Sequence, residues 1–114
     1  MVLQTAGGVT SQATMNSLPS RSRAIVVEDH PIVATALAGI AATLVEVMQT
    51  VGTCAAALDA TVRGQPELVM LDLSLPDGNG LDLIRLLSRA APRARILVVT
   101  ETETSIIAEE AFRR

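Results

Sequence analysis

The sequence lacks tryptophan, tyrosine and lysine, and Phe112 is its only aromatic residue. Aromatic side chains on which nucleotide bases stack are therefore missing. All nine basic residues are arginines, and twelve acidic residues outnumber them, which gives a formal net charge of −3. Because the chain is mildly acidic and has no basic stripe, its composition argues against direct binding to nucleic acid.

Cysteine and long apolar runs are equally scarce. Cys54 is the single cysteine, so an internal disulfide is excluded, and this fits a reducing compartment. The amino terminus has neither the basic patch nor the apolar segment of a secretory signal. The longest apolar stretch, residues 31–45, is shorter than the roughly 20 residues that cross a bilayer. We therefore expect a cytoplasmic protein that does not enter a membrane.

The chain divides into a polar beginning and an apolar remainder. Residues 1–22 are rich in Gly, Ser, Thr, Gln and Asn and show neither helical nor strand periodicity, so we predict a disordered leader. Met15 lies inside this leader and offers a second start position. The remaining residues, 23–114, have the length of one small domain.

Apolar runs and helical patterns alternate from residue 24 onwards. The runs predict four strands, and Pro31, Cys54, Leu81 and Thr104 mark the starts of the four helices that follow them. Gly64 is predicted to end the second helix in a left-handed conformation. Strands that are apolar on both faces favour a parallel sheet covered by helices on both sides, which is an α/β fold. The predicted strands cover residues 24–27, 45–51, 68–73 and 95–99.

Polar side chains stand where three of these strands end. Glu28 and Asp29 follow the first strand, Asp72 ends the third and Thr100 ends the fourth, and in open parallel sheets ligands bind at this edge. Two carboxylates about 4 Å apart repel by on the order of 4 kcal/mol at an effective dielectric near 20. Either one carboxyl group keeps its proton or a cation lies among them. A cluster of oxygen ligands suits Mg²⁺ better than zinc.

Three segments resemble the receiver domain of bacterial response regulators. They are VVEDHP at residues 26–31, MLDLSLPDGNG at residues 70–80 and VVT at residues 98–100. The resemblance runs from about Ala24 to Arg114, and the opening is similar to regulators of the NarL/LuxR type. It implies a flavodoxin-like doubly wound parallel sheet with strand order 2-1-3-4, and a place in a two-component phosphorelay.

The resemblance also implies a role for each site residue. Asp72 is expected to accept a phosphoryl group from a sensor histidine kinase. Mg²⁺ is expected to be held by Glu28, Asp29, Asp72 and the backbone carbonyl of Ser74, and Thr100 is expected to supply the switch hydroxyl. Such a module accepts a phosphoryl group and self-dephosphorylates without being a turnover enzyme. It would be the amino-terminal part of a transcriptional regulator.

The sequence departs from the family pattern at its carboxyl end. Receivers continue into a fifth strand ending in a lysine and a fifth helix, whereas this sequence stops at Arg114 and has no lysine. We therefore expect a truncated receiver, in which the fourth strand forms a bare edge. Glu101 stands after the switch Thr, where the family usually has a small residue. These departures favour an alternative function, a phosphorylation-independent module that binds a kinase, a second copy or a full-length regulator.

Simpler interpretations exist for several of these residues. Acidic residues at the start of a helix are favoured by its dipole, which would explain Glu28 and Asp29 without a metal. His30 is interpreted as a helix-start residue. Asp77, Asn79 and Asp82 are interpreted in the same way, as turn and helix-start residues. A small Mg²⁺-dependent phosphatase with an aspartyl nucleophile is the least favoured function.

Overall fold

The computed structural model describes residues 2–5 and 22–100. The predicted helix from Thr104 and the position of Glu101 lie outside these residues. Within them, no helix combines the length and the apolar character needed to cross a membrane. The strands are β1 (Val2–Thr5), β2 (Arg23–Val27), β3 (Glu46–Val51), β4 (Leu68–Asp72), β5 (Ser74–Leu75), β6 (Gly78–Asn79) and β7 (Arg95–Thr100), and the helices are α1 (Pro31–Ala42), α2 (Cys54–Gly64) and α3 (Gly80–Ala90).

The main sheet has five strands in the order β1-β7-β4-β2-β3. Strands β3, β2, β4 and β7 run parallel to one another, and β1 pairs antiparallel with β7. In chain order the parallel strands give the predicted order 2-1-3-4, so the flavodoxin-like prediction is confirmed. The central strands β2 and β4 are the ones whose ends carry Glu28 and Asp72.

Apolar side chains alternate between the two faces of the sheet. Ile25 and Val27 of β2 belong to the core under α2 and α3, whereas Ala24 and Val26 belong to the core under α1. Each helix closes its core with fully or almost fully buried side chains, such as Leu37 of α1. Burying a side chain of this size contributes about 1.5–3 kcal/mol. The packing on both faces fixes the central strands and therefore the positions of the residues at their ends.

The predicted leader is not disordered at its beginning. Val2–Thr5 form β1, in which Val2 lies opposite Thr100 and Thr5 lies opposite Leu97 of β7. The prediction of disorder is therefore wrong for these four residues, and so is the prediction that the fourth parallel strand is a bare edge. The physical reason is that an edge strand offers unpaired backbone groups, which any extended segment can satisfy. Ser22, the last leader residue, is buried, and its carbonyl oxygen accepts the Glu46 amide at 2.9 Å.

The second helix ends differently from the prediction. Gly64 is still helical, and the left-handed residue is Gln65, with φ of 43°. Its side-chain amide donates to the carbonyl oxygen of Ala90 at 2.9 Å and to that of Val62 at 3.1 Å. These bonds tie the ends of α2 and α3 together and hold a non-glycine residue in a conformation that usually favours glycine. A Cβ at Gly64 would lie 2.8 Å from Met48 Cε, the end of a flexible and partly exposed side chain that can move aside.

Candidate functional site

The register of the two central strands places Glu28 beside Asp72. Val27 of β2 pairs with Leu71 of β4, so the next residue of each strand is Glu28 and Asp72 respectively. The Glu28 amide donates to the carbonyl oxygen of Val51 at 2.9 Å, which keeps the backbone of Glu28 on the sheet. Neighbouring strands lie about 4.8 Å apart. The two carboxylates therefore leave the same edge of the sheet side by side.

Four titratable side chains meet at this edge. Glu28, Asp29, His30 and Asp72 each offer one ligand atom, and these atoms all lie within 4.8 Å of one another. His30 Nδ1 is 3.1 Å from Asp29 Oδ1 and 3.6 Å from Glu28 Oε1. His30 occupies the residue before α1, as predicted, but it makes no side-chain capping bond. The sequence did not predict that His30 contacts Glu28 and Asp29, because this contact depends on the direction of the chain between β2 and α1.

Glu28 is the buried member of the cluster. Its side chain is 5% exposed, and among the described residues its Oε2 atom has no hydrogen-bond partner. Burial, followed by hydrogen bonding to Asp72 and repulsion from Asp72 and Asp29, raises the pKa of Glu28 to about 8. Without a cation Glu28 therefore keeps its proton at neutral pH, which is one of the two outcomes that the charge argument allowed.

The donor set fits a hard divalent cation. Three carboxyl groups converge, and one of them presents a buried oxygen that no other described group satisfies. Mg²⁺ prefers oxygen ligands and usually retains several waters, and the exposure of Asp29 leaves room for them. Asp29, Glu28 and Asp72 are thus the residues that would hold the ion. Ser74 follows two residues after Asp72, and its amide donates to Asp72 Oδ1 at 3.1 Å.

Thr100 ends the strand on the other side of Asp72. Asp72 pairs with Val99 of β7, so Thr100 stands one residue beyond it at the same edge. This position is described for the backbone only, and the Thr100 side chain and Glu101 lie outside the described part of the chain. The backbone therefore brings the predicted switch position to the strand next to Asp72.

A loop after β4 is anchored by Asp77, a contact that the sequence did not reveal. The Asp77 carboxylate accepts the backbone amides of Cys54 at 2.6 Å and of Ala55 at 3.1 Å. Both amides lie in the first turn of α2, where backbone N–H groups have no partner within the helix. Their hydrogen bonds to the carboxylate lower the pKa of Asp77. The local sequence predicted only that Asp77 is a turn residue. It could not predict this contact, because α2 begins more than 20 residues before Asp77 in the chain.

The same loop returns to the sheet at Gly80. A Cβ at Gly80 would lie 2.6 Å from Leu73 Cα and 2.8 Å from the Leu73 carbonyl oxygen, so only glycine fits this approach. Asn79 caps α3, since its Oδ1 atom accepts the Leu81 amide at 2.7 Å. The helix-start interpretation is therefore confirmed for Asn79 and for Asp82, which lies in the first turn of α3.

Comparison with known proteins shows which family this chain resembles in sequence. Residues 24–114 match the model of the response regulator receiver domain. The transcriptional regulator NtrC of Azospirillum brasilense is 32% identical over 95 residues, which are 83% of this chain and 20% of that protein. The transcriptional activator DevR/DosR of Mycobacterium tuberculosis is 32% identical over 80 residues, 68% of this chain and 37% of that protein. This chain thus spans well under half the length of these relatives.

Solved structures show the same fold. A two-component response regulator of the LuxR family from Aurantimonas has a TM-score of 0.74 and 28% identity, and the match covers 82% of this chain and 69% of that chain. The receiver domain of AraT from Geobacillus stearothermophilus has a TM-score of 0.73 at 22% identity, over 81% of this chain and 74% of that chain.

Proposed function

Because the chain belongs to the response regulator receiver domain family, we propose that it accepts a phosphoryl group from a sensor histidine kinase on Asp72. The observation that carries this proposal is the meeting of Glu28, Asp29 and Asp72, with ligand atoms within 4.8 Å of one another, at the carboxyl edge of the sheet. Asp72 is half-buried at the end of a central strand, so its carboxylate is held by the sheet and still reachable from outside.

The chemistry is a transfer between two nucleophiles. An oxygen of the Asp72 carboxylate attacks the phosphorus atom, an acyl phosphate forms, and the bond from phosphorus to the kinase histidine nitrogen breaks. Mg²⁺, when bound, neutralises charge on the transferring group. Glu28, Asp29 and the backbone carbonyl of Ser74 would hold the ion with Asp72. The Ser74 amide, which donates to Asp72 Oδ1 at 3.1 Å, limits the orientations of the attacking carboxylate.

Thr100 is proposed as the residue that reads the phosphorylated state. Its backbone stands one residue beyond the Val99–Asp72 pair, on the strand next to the acceptor. A hydroxyl group at this position donates a hydrogen bond to a phosphoryl oxygen on Asp72. Movement of Thr100 towards the phosphoryl group would then change the surface at the end of β7.

The relatives support the biological setting that we propose. NtrC and DevR/DosR carry names of DNA-binding transcriptional regulators, and this chain matches only part of each. We therefore place residues 23–114 as the receiver part of a bacterial transcriptional regulator that works in the cytoplasm. Its partners are a sensor histidine kinase and a second copy or full-length regulator, without direct contact between this chain and DNA. It acts as an acceptor that self-dephosphorylates and not as a turnover enzyme.

The experiment is phosphorylation by a small donor. The protein is incubated with acetyl phosphate and Mg²⁺, and intact mass is measured. A gain of one phosphoryl group is expected, and it should disappear with EDTA or in Asp72→Asn. Asp82→Asn changes an exposed carboxylate on α3 in the same way and should retain the gain.

Other results would support other functions. No mass gain in the wild-type chain would contradict the acceptor role and favour the phosphorylation-independent module. A gain that survives Asp72→Asn would show a different acceptor. Sustained release of phosphate from an ester would instead indicate a phosphatase.

A further inference from the structure

His30 is the member of the acidic cluster that the proposed function does not use. It is the only histidine of the sequence, and its side chain is 68% exposed. Its Nδ1 atom nevertheless lies 3.1 Å from Asp29 Oδ1 and 3.6 Å from Glu28 Oε1. One ligand atom from each of Glu28, Asp29, His30 and Asp72 lies within 4.8 Å of the others. An imidazole nitrogen therefore joins the three carboxyl groups at the same edge of the sheet.

The backbone of His30 is fixed by the start of α1. Pro31 follows it as the first residue of the helix, and a residue before proline is restricted to extended conformations. His30 has φ of −88° and ψ of 114°, and its carbonyl oxygen accepts the Ala34 amide at 2.8 Å. Its side chain forms no capping hydrogen bond with the helix. The imidazole is thus attached to a fixed point beside the acidic side chains, and no bond to α1 competes with a metal ion for it.

The spacing of these atoms fits one four-coordinate ion. Zinc binds nitrogen and oxygen ligands at about 2.0–2.2 Å in tetrahedral geometry, so two of its ligand atoms lie about 3.4 Å apart. The two distances from His30 Nδ1, 3.1 and 3.6 Å, lie on either side of this value. Glu28 supplies a second, independent indication, because its side chain is 5% exposed and its Oε2 atom has no hydrogen-bond partner among the described residues. A buried carboxyl oxygen is costly unless a partner satisfies it.

The nitrogen ligand changes which ions the site can prefer. Mg²⁺ takes oxygen ligands and usually retains several waters, whereas imidazole is a good ligand for zinc. Three carboxyl groups by themselves favour Mg²⁺, as the sequence indicated. With His30 the donor set has one nitrogen and three carboxyl groups. Four side chains are enough to complete a tetrahedral zinc site.

We propose that His30 Nδ1 is a fourth side-chain ligand at this edge, and that it gives the site a zinc-binding mode in addition to Mg²⁺ binding. The proposal rests on the acidic site of the proposed function, and it concerns the choice of ion and not the transfer of a phosphoryl group. In the zinc-binding mode the ligands are Glu28, Asp29, His30 and Asp72. Because both modes use Asp29 and Asp72, binding of Zn²⁺ and binding of Mg²⁺ exclude each other.

The test measures binding of Zn²⁺ and of Mg²⁺ by titration calorimetry on the untagged chain, with wild type, His30→Gln and Asp82→Asn compared. Removal of even an outer-shell partner of a metal ligand costs about 10–100-fold in affinity, so His30→Gln should weaken Zn²⁺ binding at least about tenfold. Its Mg²⁺ affinity should stay unchanged because the three carboxyl groups remain, and this result also shows that the variant is folded. Asp82→Asn changes an exposed residue of α3 and should leave the binding of both ions unchanged.

Nuclear magnetic resonance of the chain with isotopically labelled histidine identifies the ligand atom. Since the sequence has one histidine, the ring nitrogen signals belong to His30 without further assignment. Zn²⁺ should shift the Nδ1 signal, and an excess of Mg²⁺ should reverse the shift. Equal Zn²⁺ affinity in wild type and His30→Gln, or a Zn²⁺-induced shift at Nε2 alone, would overturn the proposal. Because the readout is metal binding, a chain that gains no phosphoryl group can still pass this test, and a chain that gains one can fail it.

Discussion

Substitution of Glu28 by glutamine should stabilise the metal-free protein at high pH. Glutamine has the shape of a protonated glutamic acid but never ionises, so it removes the charge that burial and Asp72 oppose. The pKa of Glu28 rises from 4.5 to about 8 on folding. At about 1.36 kcal/mol for each pH unit by which a pKa moves, the shift corresponds to at most about 5 kcal/mol.

The sign of the effect sets the pH range. Below pH 4.5 Glu28 is protonated in both the folded and the unfolded chain, so wild type and Glu28→Gln should have the same free energy of unfolding. Between pH 4.5 and about 8 the folded chain binds the proton more tightly, so the wild type loses stability as the pH rises. Above about pH 8 the full penalty applies, and the variant should be more stable by several kcal/mol.

The assay is urea unfolding at pH 4, 6 and 8.5, with EDTA or with Mg²⁺. Mg²⁺ should stabilise the wild type at pH 8.5, by about 2.7 kcal/mol when its concentration is 100 times the dissociation constant, and should have a smaller effect on Glu28→Gln. Asp82→Asn removes an exposed carboxylate on α3 and should leave the response to Mg²⁺ unchanged.

Two results would refute this account of the acidic site. One is an equal loss of stability with rising pH in wild type and Glu28→Gln, since the penalty would then come from other groups. The other is a Glu28→Gln variant that is less stable than wild type at pH 8.5 without metal, since the Glu28 carboxylate would then have a stabilising partner.

Four further substitutions test how the site and the surrounding fold are supported. Asp77→Ala should lower the urea midpoint at pH 7 because two α2 amides lose their acceptor; its pKa is lowered, so the difference from wild type should shrink as the pH falls below 3.8. Gly80→Ala should destabilise by about 1–3 kcal/mol because its Cβ meets the Leu73 backbone, whereas Gly39→Ala, with open space around it in α1, should stabilise by about 0.5–1 kcal/mol; thermal unfolding of both checks this pair. Thr61→Val should stabilise by about 1 kcal/mol in urea unfolding, because it removes a buried hydroxyl group that has no hydrogen-bond partner among the described residues.

Local sequence was sufficient for the parallel sheet and for the neighbours of Asp72. The strands are short apolar runs, and helices begin or end at recognisable residues such as Pro31 and Asn79. Because carboxyl ends of parallel strands share one edge, the order of residues along the chain already brought Glu28, Asp29 and Asp72 together. Each of these inferences uses information from a few consecutive residues and a general rule about sheets.

The sequence by itself determined which residues form the sheet and the acidic edge, because apolar periodicity and strand ends are local properties. Only the tertiary structure decided the pairing of Val2–Thr5 with β7, the docking of Asp77 on α2 and the left-handed conformation of Gln65. It also decided the burial that raises the pKa of Glu28. All four depend on contacts between segments far apart in the chain, whose energies arise only when the packed helices bring those segments within hydrogen-bonding distance.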